Sequence, residues 1–138
     1  MTEPENVVWV REDVVLALHL RQLSEHGGGE GIRDEGLLQS ALARPQNLLA
    51  YGDPTPDLAS LAAAYAYGIA RNHPFVDGNK RTALVVARLF LLLNGMNLVA
   101  TQEEKYLTFL KLAAGELSEE ELTNWVRAHL DSVSQEDR

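Results

Sequence analysis

The sequence predicts an all-α fold, a single-domain bundle of about six helices with at most one short extended segment near the N-terminus. Three observations carry this. Apolar residues recur at helical rather than alternating spacing through most of the chain. Residues that cap helices stand in front of those runs. Glycine and proline clusters cut the runs into lengths typical of bundle helices.

The elements follow in order. Val7-Val8-Trp9-Val10 is β-branched and apolar and reads as the extended segment. Glu12 and Asp13 come next, where a helix dipole favours negative charge, and Val14, Val15, Leu18 and Leu23 carry a helix to about Ser24. Gly27-Gly28-Gly29-Glu30-Gly31 ends it, and this density of glycine predicts a mobile loop. Asp34 is an N-cap for the run Leu37, Leu38, Ala41, Leu42, which Pro45 is expected to stop. Asp57 caps a helix from Leu58 to about Arg71, with Leu58, Leu61, Ala62, Tyr65 and Ile69 as its buried stripe. Pro74 disfavours helical geometry at His73, so His73 belongs at or just beyond that helix end. The next helix begins near Lys80 and runs to Leu93; apolar on most sides, it is expected at the centre of the bundle. Asn94-Gly95 stops it. Thr101 with Glu104, and Ser118 with Glu121, open the last two helices as capping boxes. No sheet is expected, and no internal repeat is present.

The chain of 138 residues suits one domain, 1–138, with its core at about 7–130. Its lack of cysteine rules out disulfides and a thiol nucleophile and fits a reducing cytoplasm. Met1 to Asn6 are polar and acidic, so no secretory signal is expected there. The most apolar stretch, Ala83 to Leu93, is interrupted by Arg88 and too short for a bilayer, so no membrane role is expected. A formal net charge of −8 opposes nonspecific nucleic-acid binding and leaves room only for a local basic patch.

Such a patch exists. From His73 to Arg81 a helix ends, a loop turns, and a new helix starts. The first turn of a helix offers unpaired N–H groups and partial positive charge to a phosphate. Gly78 lets backbone approach a ligand, Lys80 and Arg81 add charge, and Asn79 either bonds a phosphate oxygen or braces the loop. Asp77 is the one carboxylate here, and Mg²⁺ is commonly held by one or two carboxylates plus substrate phosphates. Histidine is the side chain whose ordinary pKa lies near neutrality, which suits His73 to accept a proton from an attacking hydroxyl. Taken singly, His73 is a helix C-cap, Asp77 and Gly78 are turn residues, and Lys80-Arg81 is a solvated surface. Their combination within nine residues favours phosphate chemistry.

At these residues the sequence resembles the Fic/Doc (Fido) family and, within it, the death-on-curing (Doc) toxins. Against the Fic pattern His-Pro-Phe-x-Asp/Glu-Gly-Asn-Gly-Arg-x-x-Arg the chain reads His73-Pro74-Phe75-Val76-Asp77-Gly78-Asn79-Lys80-Arg81-Thr82-Ala83-Leu84. The block from Gly31 to Pro45, and Asn72, are similar to the Doc branch. Lys80 replaces a glycine and Leu84 an arginine of the Fic pattern. Fic enzymes transfer AMP to a protein hydroxyl. The Doc branch carries the lysine and phosphorylates elongation factor Tu, with the nucleotide reversed.

The resemblance implies a Doc-type kinase toxin using ATP and Mg²⁺. His73 would be the general base and Asp77 the metal ligand, while Gly78, Asn79, Lys80 and Arg81 would hold phosphates. Gly31, Ile32, Arg33 and Asp34 would form a flap that positions the target, with the preceding glycines letting it move. No internal inhibitory motif Ser/Thr-x-x-x-Glu-Gly/Asn is found, so a separate Phd-like antitoxin is expected. Arg88, on the same helix face as Arg81, reads as a stand-in for the missing arginine or, preferably, as an ion-pair partner. His19, His26 and His129 read as structural or surface residues. The competing readings are AMP transfer, a nuclease opposed by the charge, and a non-catalytic binding module.

Overall fold

A computed structural model describes residues 6–133. Six helices follow one another: α1 (Glu12–His26), α2 (Glu35–Tyr51), α3 (Leu58–Asn72), α4 (Asn79–Leu93), α5 (Gln102–Ala113) and α6 (Glu119–Ala128). The fold is all-α, as expected. Met1 to Glu5, which bear on the leader question, and residues 134–138 lie outside the described residues. Among the described residues no helix is long and apolar enough to cross a membrane.

The cap signals hold. Asp34 accepts the Leu37 N–H and Asp57 the Ser60 N–H. Thr101–Glu104 and Ser118–Glu121 close both bonds of their capping boxes. Each such cap contributes about 1 kcal/mol.

Three expectations need correction. First, Pro45 does not stop its helix; α2 continues through it to Tyr51. Proline inside a helix costs roughly 3 kcal/mol. Here the ring is buried, and Leu48 and Leu49 beyond it pack on the core, which offsets that cost. Second, the central helix is α3 rather than α4. It packs against α2, α4, α5 and α6, and nearly every position from Ala59 to Ala70 is buried. Alanines and Gly68 let neighbours approach on all sides; a Cβ at Gly68 would lie 3.1 Å from the Ala41 Cα. By contrast, α4 leaves Leu92 and Leu93 exposed. Third, a small sheet exists. β1 (Met96–Leu98) pairs antiparallel with β2 (Leu130–Ser132), Asn97 opposite Asp131. Gly95, at φ 82°, turns the chain from α4 into β1.

Val7 to Val10 is neither helix nor strand. Side chains tie it down: Asn94 bonds the N–H and C=O of Val8, and Val10 N–H donates to the Tyr65 hydroxyl at 3.1 Å. Burial pushes that hydroxyl above its ordinary pKa, so it stays protonated. Trp9 thereby lands on Phe90, ring centroids 5.9 Å apart, with Tyr65 5.2 Å from Phe90. Each aromatic pair adds about 1 kcal/mol beyond its buried area.

Candidate active site

The site is built where α3 hands over to α4. His73 caps α3 at φ 50°, ψ 56°, and among the described residues no other non-glycine has positive φ. Left-handed backbone costs a β-carbon-bearing residue about 1–2 kcal/mol. The geometry is over-determined by its surroundings. His73 N–H still reaches Ile69 O, and Arg33 donates to both His73 O, at 2.7 Å, and Asn72 O, at 2.8 Å. The C-cap reading and the catalytic reading of His73 are therefore compatible: the cap conformation is what sets its exposed side chain at the cleft.

The loop after it is pinned from below. Phe75 is buried and stacks on His19 at 3.8 Å, with 11° between the rings. His19 Nε2 lies 2.8 Å from Asp77 O. Its structural role is thus to support the loop from α1. Asn79 receives the Phe75 N–H at Oδ1 and donates from Nδ2 to Phe75 O, both at 3.0 Å. Both ends of its buried amide are used, so the bracing reading of Asn79 holds for the side chain. What Asn79 offers an anion is its backbone N–H.

That N–H belongs to the first turn of α4. Gly78 is the N-cap at φ 79°, a conformation that disfavours any side chain. Thr82 N–H bonds Gly78 O at 3.0 Å, leaving the N–H groups of Asn79, Lys80 and Arg81 without an intrahelical acceptor. Together with His73, Asp77 and the two cations they line one cleft of about 500 Å³, whose other wall is Leu110 and Ala113 of α5 and the Ala114 that caps it. A hollow of similar size, about 520 Å³ beside β1 and β2, is lined by no Lys, Arg or His. The α5 wall escapes sequence reading because it lies some thirty residues downstream and carries no reactive group.

Asp77 stands exposed at the rim. Its Oδ1 accepts the Gly78 N–H at 2.8 Å, while Oδ2 has no donor among the described residues. No group of three or more metal-binding side chains occurs among the described residues. A single carboxylate oxygen beside open helix N–H groups fits Mg²⁺ held mainly by phosphate and water, not an all-protein cage.

The flap residues lie against the motif loop. Ile32 and Phe75 form an antiparallel bridge. Val76 N–H donates to Gly31 O, and the N–H groups of Arg33 and Asp34 both donate to Pro74 O. Of the preceding glycines, Gly28 and Gly29 are seated against the motif loop. A Cβ on Gly28, at φ 125°, would lie 2.8 Å from Asp77 Oδ2, and one on Gly29 3.1 Å from Val76 Cγ1. These glycines serve close approach.

Lys80 sits 4.8 Å over the Tyr106 ring. Tyr67 lies between Arg44 and Arg71, at 5.3 and 5.4 Å. His129 Nδ1 lies 2.7 Å from Trp125 O, a structural contact, and His26 is exposed. Arg88 meets no carboxylate among the described residues.

The sequence is similar to those of known proteins. The profile described as Fic/DOC family matches residues 9–91, which take in α1 to α3, the flap and most of α4. "Toxin Doc" of Mycolicibacterium smegmatis is 47% identical over 90 residues, 65% of this chain and 66% of that protein. "Protein kinase doc" of Escherichia phage P1 is 36% identical over 118 residues, 86% of this chain and 92% of that protein. With the matched span enclosing both the flap and the phosphate-binding turn it packs on, the chain belongs to the Fic/Doc family, in its Doc branch.

Proposed function

We propose that this protein is the toxin of a toxin–antitoxin pair and a protein kinase, transferring the γ-phosphate of ATP to a hydroxyl of a target protein. The observation that carries the reading is that His73 and the open first turn of α4 line one cleft with Lys80 and Arg81. The names of the two relatives, a Doc toxin and a Doc protein kinase, support it.

In this reading the γ-phosphate rests on the N–H groups of Asn79, Lys80 and Arg81, where dipole and side-chain charge are already oriented. The target hydroxyl enters between His73 and that phosphate. Its oxygen attacks phosphorus, the bond from phosphorus to the β,γ-bridging oxygen breaks, and ADP leaves with the electron pair. His73 takes the hydroxyl proton. Asp77 is the residue that would hold Mg²⁺, which when bound neutralises phosphate charge. The flap Gly31–Asp34, paired to the motif loop, offers backbone beside His73 for an extended target segment.

Elongation factor Tu is the proposed target, the cytoplasm the proposed place of action, and a Phd-like antitoxin the proposed restraint. The chain acts as one domain. Induced expression in a bacterium tests the reading. Growth and protein synthesis should stop with the wild-type chain, continue with His73→Ala, and recover on co-expression of the cognate antitoxin. Equal arrest by both chains would instead support a non-catalytic binding module.

A further inference from the structure

Among the described residues most arginines outside the cleft have a partner. Arg11, Arg21, Arg44 and Arg127 each meet a carboxylate, Arg33 is spent on backbone carbonyls, and Arg71, without a carboxylate among the described residues, lies over the Tyr67 ring. Arg81, Arg88 and Lys105 are different. Among the described residues none of them meets a carboxylate, yet all three line one recess of about 260 Å³, with His26 at its edge and no Asp or Glu in its walls. Lys105 is half-buried there, and its ammonium is pushed below its ordinary pKa, first by burial and then by Arg88 beside it. In a chain of net charge −8, gathering three like charges without a counter-charge is unfavourable unless an anion joins them.

The recess adjoins the active-site cleft. Arg81 lines both. Tyr106, in the recess wall, carries Lys80 of the cleft over its ring. Arg88 follows Arg81 by seven residues of α4, about 10 Å along the axis, so the cations form a track leading away from the first turn.

We propose that this recess is a second anion subsite holding the part of the polyphosphate chain farthest from the transferred phosphate. With the γ-phosphate in the first turn of α4, Arg81 spans the middle, and Arg88 and Lys105 take the far phosphate. The inference rests on the kinase reading above and adds residues that do not touch the transferred group. It also gives the nucleotide a direction, along α4 from Gly78 towards Arg88. The charge on the departing diphosphate is then met by Arg81 and Arg88.

Equilibrium binding of ATP and of inorganic tripolyphosphate to the full chain tests this, with Arg88→Gln, Lys105→Gln and the double variant. Arg88 is exposed and Lys105 half-buried, and thermal melts check that each variant is folded. Each single variant should weaken both ligands about tenfold, the size of one charge-assisted contact, and the double variant more. Inorganic phosphate, which fills only the first turn, should bind all forms alike. Unchanged ATP and tripolyphosphate affinity in the double variant would overturn the subsite. If phosphorylation of the target protein fell at the same time, the recess would hold an acidic segment of that protein instead. Absence of ATP binding to the wild-type chain would sink the kinase reading itself, a result distinct from either.

Discussion

Asn79→Ala separates two roles that one side chain can play. As a ligand group, Asn79 would matter only when nucleotide is bound. As a brace, it satisfies the N–H and C=O of Phe75, which is 1% exposed. Truncation leaves both groups buried and unpaired, at roughly 1–3 kcal/mol each. A water entering the vacated space recovers part of this, so the net loss should be about 2–4 kcal/mol. For a chain of this size that is a Tm lower by on the order of 10 °C. Denaturant unfolding without ligand is the assay. Asn79→Asp keeps the acceptor for Phe75 N–H but sets a carboxylate oxygen against Phe75 O, and should be no better than alanine. Refutation would be an Asn79→Ala protein within about 0.5 kcal/mol of wild type that nevertheless loses phosphate transfer. That result would return Asn79 to the ligand.

Gly28→Ala should lower transfer activity and raise the Mg²⁺ concentration needed for it, because its Cβ would displace Asp77 Oδ2; an unchanged Mg²⁺ titration would contradict this. Thr82→Val should leave stability unchanged or raise it by up to about 1 kcal/mol in thermal melts, since the Thr82 hydroxyl is buried with no partner. Asp57 is held at about 2, against 3.8 for the free group, by its bond to Arg127 above all. The native carboxylate refuses a proton that the unfolded chain accepts, so its contribution is present above about pH 4 and fades as pH falls towards 2. Stability of Asp57→Asn should therefore fall less than that of wild type across this window; parallel curves would refute the assignment.

The parts of the fold that were legible in the sequence are those encoded locally. Asp34, Asp57, Thr101 and Ser118 cap by reaching an N–H three residues on, and three residues is a distance that a linear reading sees. The motif from His73 to Arg81 was legible for the same reason. What escaped depends on distant partners. Total apolarity suggested α4 as the centre, but α3 holds it through small side chains. Pro45 stays helical because of residues it packs with, not residues beside it. Three-residue strands are too short to show alternation. His19 meets Asp77 across 58 positions. Arg88 has Lys105 beside it, from a helix that begins fourteen residues downstream.

The most direct test of the central claim uses purified protein, Mg²⁺ and bacterial elongation factor Tu, with ATP labelled at either the α- or the γ-phosphate. The account predicts label on the target from γ-labelled ATP alone, abolished by His73→Ala. Label from α-labelled ATP would contradict it and make the cleft an AMP-transferring site.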